Sequence, residues 1–262
     1  MKIKNLIGKC ISTCLVLAFI LSFFMELSAQ VSYYQYRKVP PAKVDEFIKR
    51  ETTYWSKVAQ KAVDNDKMIF WGLFQKVSGG DAESPNFLFI NSFQDIDLAM
   101  SEDIWNAAKL FPTIPMAKME TYSFSTVSNV LFTKREAWEQ AAKAVPDKDF
   151  NYVLINYHSA TQPENFIALE KKHWQPFIKA EMDEKKTNQV AWGNELILSP
   201  RGGAYTPTTL SFDLFPSFKD ALMPSFGENA KFPEEGLKEL DKITSAPRQI
   251  EIYRIVKVVT KP

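Results

Sequence analysis

The chain has 262 residues, and its 32 Lys and Arg nearly balance its 31 Asp and Glu. This balance argues against a basic nucleic-acid-binding protein. A hydrophobic content of 45% with 24% charged residues is ordinary for a packed globular protein. The same composition excludes a disordered chain, a collagen-like chain and a multi-span membrane protein.

The first 29 residues have the layout of a secretory signal peptide. Three lysines among the first nine residues precede an apolar stretch over 11–24, and small residues end at Ala29. The stretch is short for a membrane span, which needs about 20 apolar residues. We expect cleavage after Ala29 and export to the periplasm or the medium, with a retained anchor as the alternative. Beyond Cys14 the sequence holds no cysteine, which excludes disulfides and thiolate chemistry from the mature part.

The remainder reads as two copies of one module, separated by about 120 residues, a period that indicates domain-sized copies. Placing 31–55 over 150–174 without gaps gives five identities: Tyr33/Tyr152, Phe47/Phe166, Ile48/Ile167, Glu51/Glu170 and Trp55/Trp174. Further landmarks follow in the same order: Trp71-Gly72 and Trp192-Gly193, then Gly79-Gly80 and Gly202-Gly203. The ordered series indicates an internal duplication.

The predicted elements repeat in the two halves. In the first half they are a strand over 32–37, a helix over 42–64, strands over 67–77 and 87–93, a helical stretch over 95–110 and a strand over 122–133. In the second half they are a strand over 151–157, a helix over 163–186, strands over 189–198 and 208–214, a broken helix over 218–243 and a strand over 249–259. The connection between the halves is predicted to hold a short helix over 136–144.

The order strand, helix, strand, strand, helix, strand is ferredoxin-like. One such sheet leaves an apolar face open, and two copies in one chain can cover each other. We therefore predict an α+β fold of two ferredoxin-like (βαββαβ) repeats forming a pseudo-dimeric α+β barrel. Its expected domains are a signal peptide over 1–29, a first repeat over 30–133, a linker over 134–149 and a second repeat over 150–262.

The duplication and this element order resemble the dimeric α+β barrel superfamily, with the dimer fused into one chain. That superfamily includes the stress-responsive A/B barrels, the antibiotic-biosynthesis monooxygenase-like domains and the NIPSNAP-like domains. Some of its members bind or degrade haem. The sequence has no motif that matches their haem ligands residue by residue.

Two glutamates interrupt the apolar stripes of the long predicted helices. Glu51 and Glu170 each lie four residues after a Phe and four before a Trp, on a shared helix face. A carboxylate there must be paired, hydrogen-bonded or protonated. In one interpretation it reaches solvent or pairs with a strand residue such as Arg37. In the other it lines a pocket, with a raised pKa and the capacity to act as a base.

Aromatic residues surround these positions, either as core or as the wall of a cavity for an apolar or planar molecule. The candidate ligand-binding residues are Glu51, Glu170, Trp55, Trp174, His173, Tyr54, Trp71, Trp192 and Asn194. His173 follows Glu170 by three residues, a spacing that can direct two ligands toward one metal. A metal on Glu170, His173 and His158, or a haem on either histidine, is an alternative on ligand chemistry alone. No metal and no cofactor is predicted.

The sequence lacks nucleophile-elbow, phosphate-loop, dinucleotide and zinc-protease motifs. We expect an exported protein that binds a small apolar or planar molecule in an aromatic-lined pocket. One alternative is a cofactor-independent monooxygenase-like or isomerase-like enzyme with a pocket glutamate as base, and another is a structural interaction module. No nucleic-acid partner is expected, and no membrane partner after signal cleavage. Enzymatic activity and oligomeric state stay open.

Overall fold

The structure is a computed structural model that describes residues 30–78, 83–202 and 207–261. The predicted signal peptide, Gly79, Gly80 and Gly203 lie outside the described residues. The strands are β1 (Val31–Lys38), β2 (Phe70–Lys76), β3 (Phe87–Phe93), β4 (Thr126–Gln140), β5 (Tyr152–His158), β6 (Ala191–Ser199), β7 (Thr209–Phe215) and β8 (Gln249–Thr260). Every strand that the sequence predicts is present, with ends that differ by up to four residues except in β4, which extends seven residues beyond its predicted end.

The helices are α1 over 41–64, α2 (Ala107–Leu110), α3 (Pro146–Asp149), α4 over 163–183, α5 (Phe218–Leu222) and α6 (Glu234–Lys242). Single 3₁₀ turns occupy Ile96–Met100, Met116–Lys118 and Tyr122–Phe124. The two long helices begin at prolines, Pro41 and Pro163. Proline suits the first turn of a helix because its missing N–H has no partner there anyway. Among the described helices, none is long and apolar enough to cross a membrane.

The strands form one closed antiparallel barrel in the order β1-β3-β2-β8-β5-β7-β6-β4. Closure depends on the two longest strands. β4 pairs with β1 and β6, and β8 pairs with β2 and β5. No edge of the described sheet is left to pair with another chain, which removes a common route to aggregation.

Side chains alternate between the two faces of each strand. Tyr34 and Tyr36 of β1 point into the barrel, where they join an apolar cluster with residues of the other strands. Trp71 and Phe89 face outward and pack beneath α1. The outer face under each long helix is therefore aromatic, and it is on this face that polar side chains of the strands meet the helices.

Both long helices contain one π-helical turn. In α1 it covers Glu51–Trp55, and in α4 it covers Glu170–Trp174. The two glutamates thus begin matching wide turns in otherwise α-helical segments. π-turns inside α-helices are rare and are frequent at functional sites.

The expected description as two ferredoxin-like (βαββαβ) repeats forming a pseudo-dimeric α+β barrel is wrong. The eight described strands form one closed barrel with few helices. The first half has no second long helix: 95–110 holds a 3₁₀ turn and the four residues of α2. Asp95 and Asn106 cap these short turns with their side chains, and Pro112 stops any continuation.

The segment over 136–144 is also not the expected helix. β4 continues as a strand to Gln140, because its second half pairs with β6. The predicted breaks in the helical region 218–243 are correct, since α5 and α6 are separate there. The strand glycines serve packing inside the barrel: a Cβ on Gly72 would lie 2.5 Å from the Phe74 ring, and one on Gly193 would lie 2.4 Å from the Phe212 ring.

Candidate functional site

Two cavities lie between the outer face of the barrel and the long helices. The first cavity, of about 360 Å³, lies beside Glu51 of α1, and the second, of about 350 Å³, lies beside Glu170 of α4. These volumes are at the lower end of the usual range of ligand sites, which indicates small ligands. Each cavity combines a buried carboxyl group with tryptophan walls.

In the first cavity, Glu51 is 4% exposed. The Thr121 hydroxyl donates a hydrogen bond of 2.6 Å to its Oε1 atom. Burial raises the pKa of Glu51 to about 7, although this hydrogen bond and the charge of Arg37 act in the opposite direction. At neutral pH the group therefore stands between its protonated and ionised forms, as suits a proton acceptor.

Arg37 of β1 is the buried cation of the first cavity, with 2% of its surface exposed. Its guanidinium donates to Gln35 Oε1 at 3.1 Å, to Thr121 Oγ1 at 3.4 Å and to the hydroxyl of Ser125. All three acceptors are uncharged, and the Nε atom has no hydrogen-bond partner within the described residues. Thr121 thus links Arg37 to Glu51, and the direct pairing with Arg37 that one interpretation of the sequence allowed is replaced in the described residues by this hydroxyl bridge.

Aromatic side chains wall the first cavity. Trp71 and Phe89 form its floor on the barrel, and Trp55 closes it from the helix. The indole N–H of Trp55 donates to the Met119 carbonyl at 2.9 Å, which ties the helix to the segment that carries Thr121. The Tyr122 ring covers the Arg37 guanidinium, whose central carbon lies 4.2 Å from the ring centroid.

In the second cavity, Glu170 is 6% exposed and accepts a hydrogen bond of 3.1 Å from Asn194 Nδ2. Burial raises the pKa of Glu170 to about 8; the Asn194 hydrogen bond lowers it and the charge of Asp213 raises it further. The carboxyl group is therefore largely protonated at neutral pH. Trp174 and Trp192 line this cavity as Trp55 and Trp71 line the first.

The second cavity also contains Asp213 and His158, which are not among the candidate ligand-binding residues named from the sequence. Asp213 of β7 accepts hydrogen bonds from Asn156 at 3.0 Å and Gln189 at 2.7 Å, and burial raises its pKa to about 6. The Nε2 atom of His158 lies 3.1 Å from Ser211 Oγ. Burial, with the nearby charge of Arg248, lowers the pKa of His158 to about 4, so the imidazole is neutral at physiological pH.

Six predicted site residues line the cavities: Glu51, Trp55 and Trp71 in the first, and Glu170, Trp174 and Trp192 in the second. Asn194 is not among the lining residues of either cavity, but it donates a hydrogen bond to Glu170. Tyr54 and His173 do not line either cavity. Tyr54 packs edge-on against Phe111, and the His173 ring packs against Gly236 of α6.

The orientation of His173 separates it from the other two residues of the metal alternative. Glu170 and His158 both line the second cavity, whereas His173 Nε2 lies 3.6 Å from the Glu239 carboxylate on α6. In the parts of the chain that the structure describes, no three His, Cys, Asp or Glu side chains group together as ligands of a metal ion.

Thr121, Asp213 and Asn156 are functional candidates that the sequence reasoning missed. Thr121 lies 70 positions from Glu51 in an irregular segment, so no periodic pattern connects them. A signal for Asp213 does exist, because polar residues alternate with apolar ones along β7. Alternation of this kind marks a strand whose outer face is lined by polar groups.

Comparison with solved structures finds similar folds over most of the chain. A candidate monooxygenase from Lactobacillus acidophilus NCFM aligns with a TM-score of 0.56 at 10% identity, covering 88% of this chain and 96% of its own. An anthrone oxidase-like protein aligns with a TM-score of 0.52 at 12% identity, covering 88% and 92%. A candidate monooxygenase from Fusobacterium nucleatum subsp. nucleatum aligns with a TM-score of 0.50 at 10% identity, covering 88% and 94%.

No protein-family model matches the sequence, and no curated protein matches it either. At identities of 10–12% the structural likeness shows the fold alone. The likeness is to the fold of monooxygenase-like proteins, and it assigns this chain to no superfamily.

Proposed function

We propose that the protein binds a small, planar, aromatic anion in the first cavity, with Arg37 as the counter-ion of the ligand. The observation that carries this proposal is the buried guanidinium, whose described hydrogen-bond partners are all neutral and whose Nε atom has none. Burying an unpaired charge is costly, and a bound carboxylate or phenolate would supply the missing charge and acceptor. The aromatic walls suit a flat ring.

The protonation state of Glu51 gives this proposal a specific pH dependence. Below its pKa of about 7, Glu51 is neutral and leaves the charge of Arg37 to the ligand. Above that pH the ionised Glu51 neutralises Arg37 and repels an anion. The other titratable groups that line the first cavity are Tyr33, Glu102 and Tyr122. Anion binding should therefore weaken as the pH rises from 6 to 8.5.

Calorimetric titration with benzoate, a minimal planar anion, tests the site. We expect Arg37→Met to weaken benzoate binding by at least about tenfold, which corresponds to about 1.4 kcal/mol. Arg254→Met removes the same charge from an exposed position on β8 and should leave binding unchanged. We also expect Glu51→Gln to abolish the weakening between pH 6 and 8.5. Equal affinity in wild type and Arg37→Met would exclude this site.

A second candidate function is proton abstraction by Glu51 from a bound carbon acid, followed by oxidation with molecular oxygen. The pKa of about 7 and the hydrogen bond to Thr121 favour it, because they place an oriented base in a dry aromatic cavity. Anthrone is a suitable probe, since loss of a proton gives an anion that reacts with O₂ to form anthraquinone and water. The fold likeness to an anthrone oxidase-like protein motivates this choice.

Oxygen uptake with anthrone decides between binding and catalysis. A catalytic Glu51 predicts uptake above the uncatalysed rate and a loss of about 100-fold in kcat in Glu51→Gln, with a Tm at pH 6 no lower than that of wild type. Oxygen uptake by wild type at the uncatalysed rate would reject the enzymatic candidate. The binding function would then be decided by the benzoate titration alone.

We further propose export, with cleavage after Ala29, on the sequence pattern of the first 29 residues. Mass spectrometry of protein expressed from the full coding sequence should find Gln30 at the N-terminus of material in the periplasm or the medium. Recovery of the chain in the cytoplasm with its first residues intact would contradict this proposal.

A further inference from the structure

The second cavity differs from the first in the chemistry of its polar groups, which are mainly hydrogen-bond acceptors. Its two buried carboxyl groups, Glu170 and Asp213, each receive an amide N–H of an asparagine. Asn194 donates to Glu170, and Asn156 donates to Asp213. The side-chain N–H groups of both asparagines are therefore already directed at carboxyl groups.

This arrangement fixes the orientation of both amides and leaves their oxygens unused. Because the Nδ2 atom of Asn156 faces Asp213, its Oδ1 atom is the free end, and it has no partner among the described residues. The same holds for Asn194 Oδ1. Asn156 is 4% exposed and lines the cavity. A buried acceptor without a partner costs about 1–3 kcal/mol, and a ligand with N–H donors would recover it.

The charges around the second cavity favour a cation. Glu170, Asp213 and Asp241 line it as acids, of which Glu170 is largely protonated at neutral pH, and Arg248 is the base among its lining residues. Arg248 is exposed, so solvent weakens its charge, although that charge still contributes to lowering the pKa of His158. His158 is neutral because burial lowers its pKa. The first cavity favours an anion instead, because its buried side chain with a permanent charge is the cation Arg37.

The walls of the second cavity are flat and aromatic. Trp174 and Trp192 line it, and the Phe166 ring lies against His158 with 4.7 Å between the ring centroids. Aromatic faces attract organic cations, most strongly when both are removed from water. We propose that the second cavity binds a small planar cation with several N–H donors, of the amidinium or aromatic-amine class, held between the tryptophans and directed at Asp213 and Asn156.

This inference concerns a different cavity and an opposite charge from the proposed function, so either can fail without the other. Calorimetric titration of the full chain at pH 7 with benzamidine, benzamide and benzoate tests it. Benzamidine is the planar cation, and benzamide is its neutral analogue of nearly the same shape. We expect benzamidine to bind at least tenfold more tightly than benzamide, and Asp213→Asn to weaken benzamidine binding about tenfold.

Glu239→Gln is the matched control, because it removes one acidic charge from a half-exposed position on α6. It should leave benzamidine affinity unchanged. If Asp213→Asn does not fold, Asn156→Leu replaces it and should also weaken benzamidine. Equal affinities for benzamidine and benzamide, unchanged affinity in the cavity variant, or an equal loss in Glu239→Gln would each overturn the proposal, as would the absence of benzamidine binding at millimolar concentration.

Discussion

Replacing Glu170 with Gln should stabilise the protein at high pH and leave its stability almost unchanged in acid. The reason is the proton on the buried carboxyl group. Between pH 4.5 and about 8 the folded protein keeps this proton while the unfolded chain loses it. The unfolded state is therefore favoured progressively as the pH rises through this range, and the effect levels off above the folded pKa. Gln resembles protonated Glu in shape and cannot ionise.

The size of the effect follows from the two pKa values. The interval from 4.5 to about 8, at about 1.4 kcal/mol per pH unit, makes the ionisation of Glu170 cost about 5 kcal/mol in the folded state. Burial is the main cause, and the Asn194 hydrogen bond offsets part of it. Below pH 4.5 both states are protonated and the cost disappears. Local rearrangement that admits water would reduce the figure, so a gain of several kcal/mol at pH 9 is the expected outcome.

Urea unfolding followed by tryptophan fluorescence at pH 5, 7 and 9 measures this difference. Glu51→Gln should behave in the same way with a smaller gain of about 3 kcal/mol, because the pKa of Glu51 is raised only to about 7. Glu228→Gln is the control, since Glu228 is exposed in the folded protein and the substitution changes charge alone. It should show a small difference that hardly varies with pH.

The reasoning would be refuted by a Glu170→Gln variant that is less stable than wild type at pH 9. A difference from wild type that stays constant from pH 5 to 9 would refute it equally. Either result would mean that Glu170 is ionised in the folded protein across this range, so that burial does not control its protonation.

Two further substitutions test the packing of the barrel. Gly193→Ala should lower the free energy of unfolding by about 1–3 kcal/mol, because the added Cβ would lie 2.4 Å from the Phe212 ring and 2.9 Å from the Ala137 carbonyl oxygen. Urea unfolding measures the change. A variant as stable as wild type would show that the barrel interior can rearrange to accept the methyl group. Glu195→Ala should lower the free energy of unfolding by about 3 kcal/mol, because it removes the carboxylate that accepts a hydrogen bond of 3.2 Å from Arg135 Nη2 inside the barrel. A variant whose Tm agrees with that of wild type within a degree would contradict this expectation.

The strands and long helices could be predicted because their signals are local. Short runs rich in apolar and aromatic residues, separated by turn residues, marked the eight strands, and for β3 the predicted range of 87–93 is the observed one. Repeats of three and four marked α1 and α4. The same pattern singled out Glu51 and Glu170, and both are buried beside cavities.

What the sequence could not show depends on contacts between distant segments. The segment over 136–144 has a helical composition, yet pairing with β6 makes its first part a strand. The π-turns at the two glutamates have no local signal, because the apolar spacing around them is also that of an α-helix. The hydrogen bond from Thr121 to Glu51 joins an irregular segment to a helix. Such contacts are set by packing and leave no periodic trace.

The π-turns have a consequence for how this scaffold can change. A wide turn accommodates one surplus residue while the helix on either side keeps its phase. Loss of a single codon within 51–55 would therefore restore an ordinary α-turn and leave Ala59 and Ala62 seated on the barrel. The same applies to 170–174 in α4. The π-turn at each buried glutamate can thus be lost or regained by a single mutation, while the barrel and the rest of the helix stay intact.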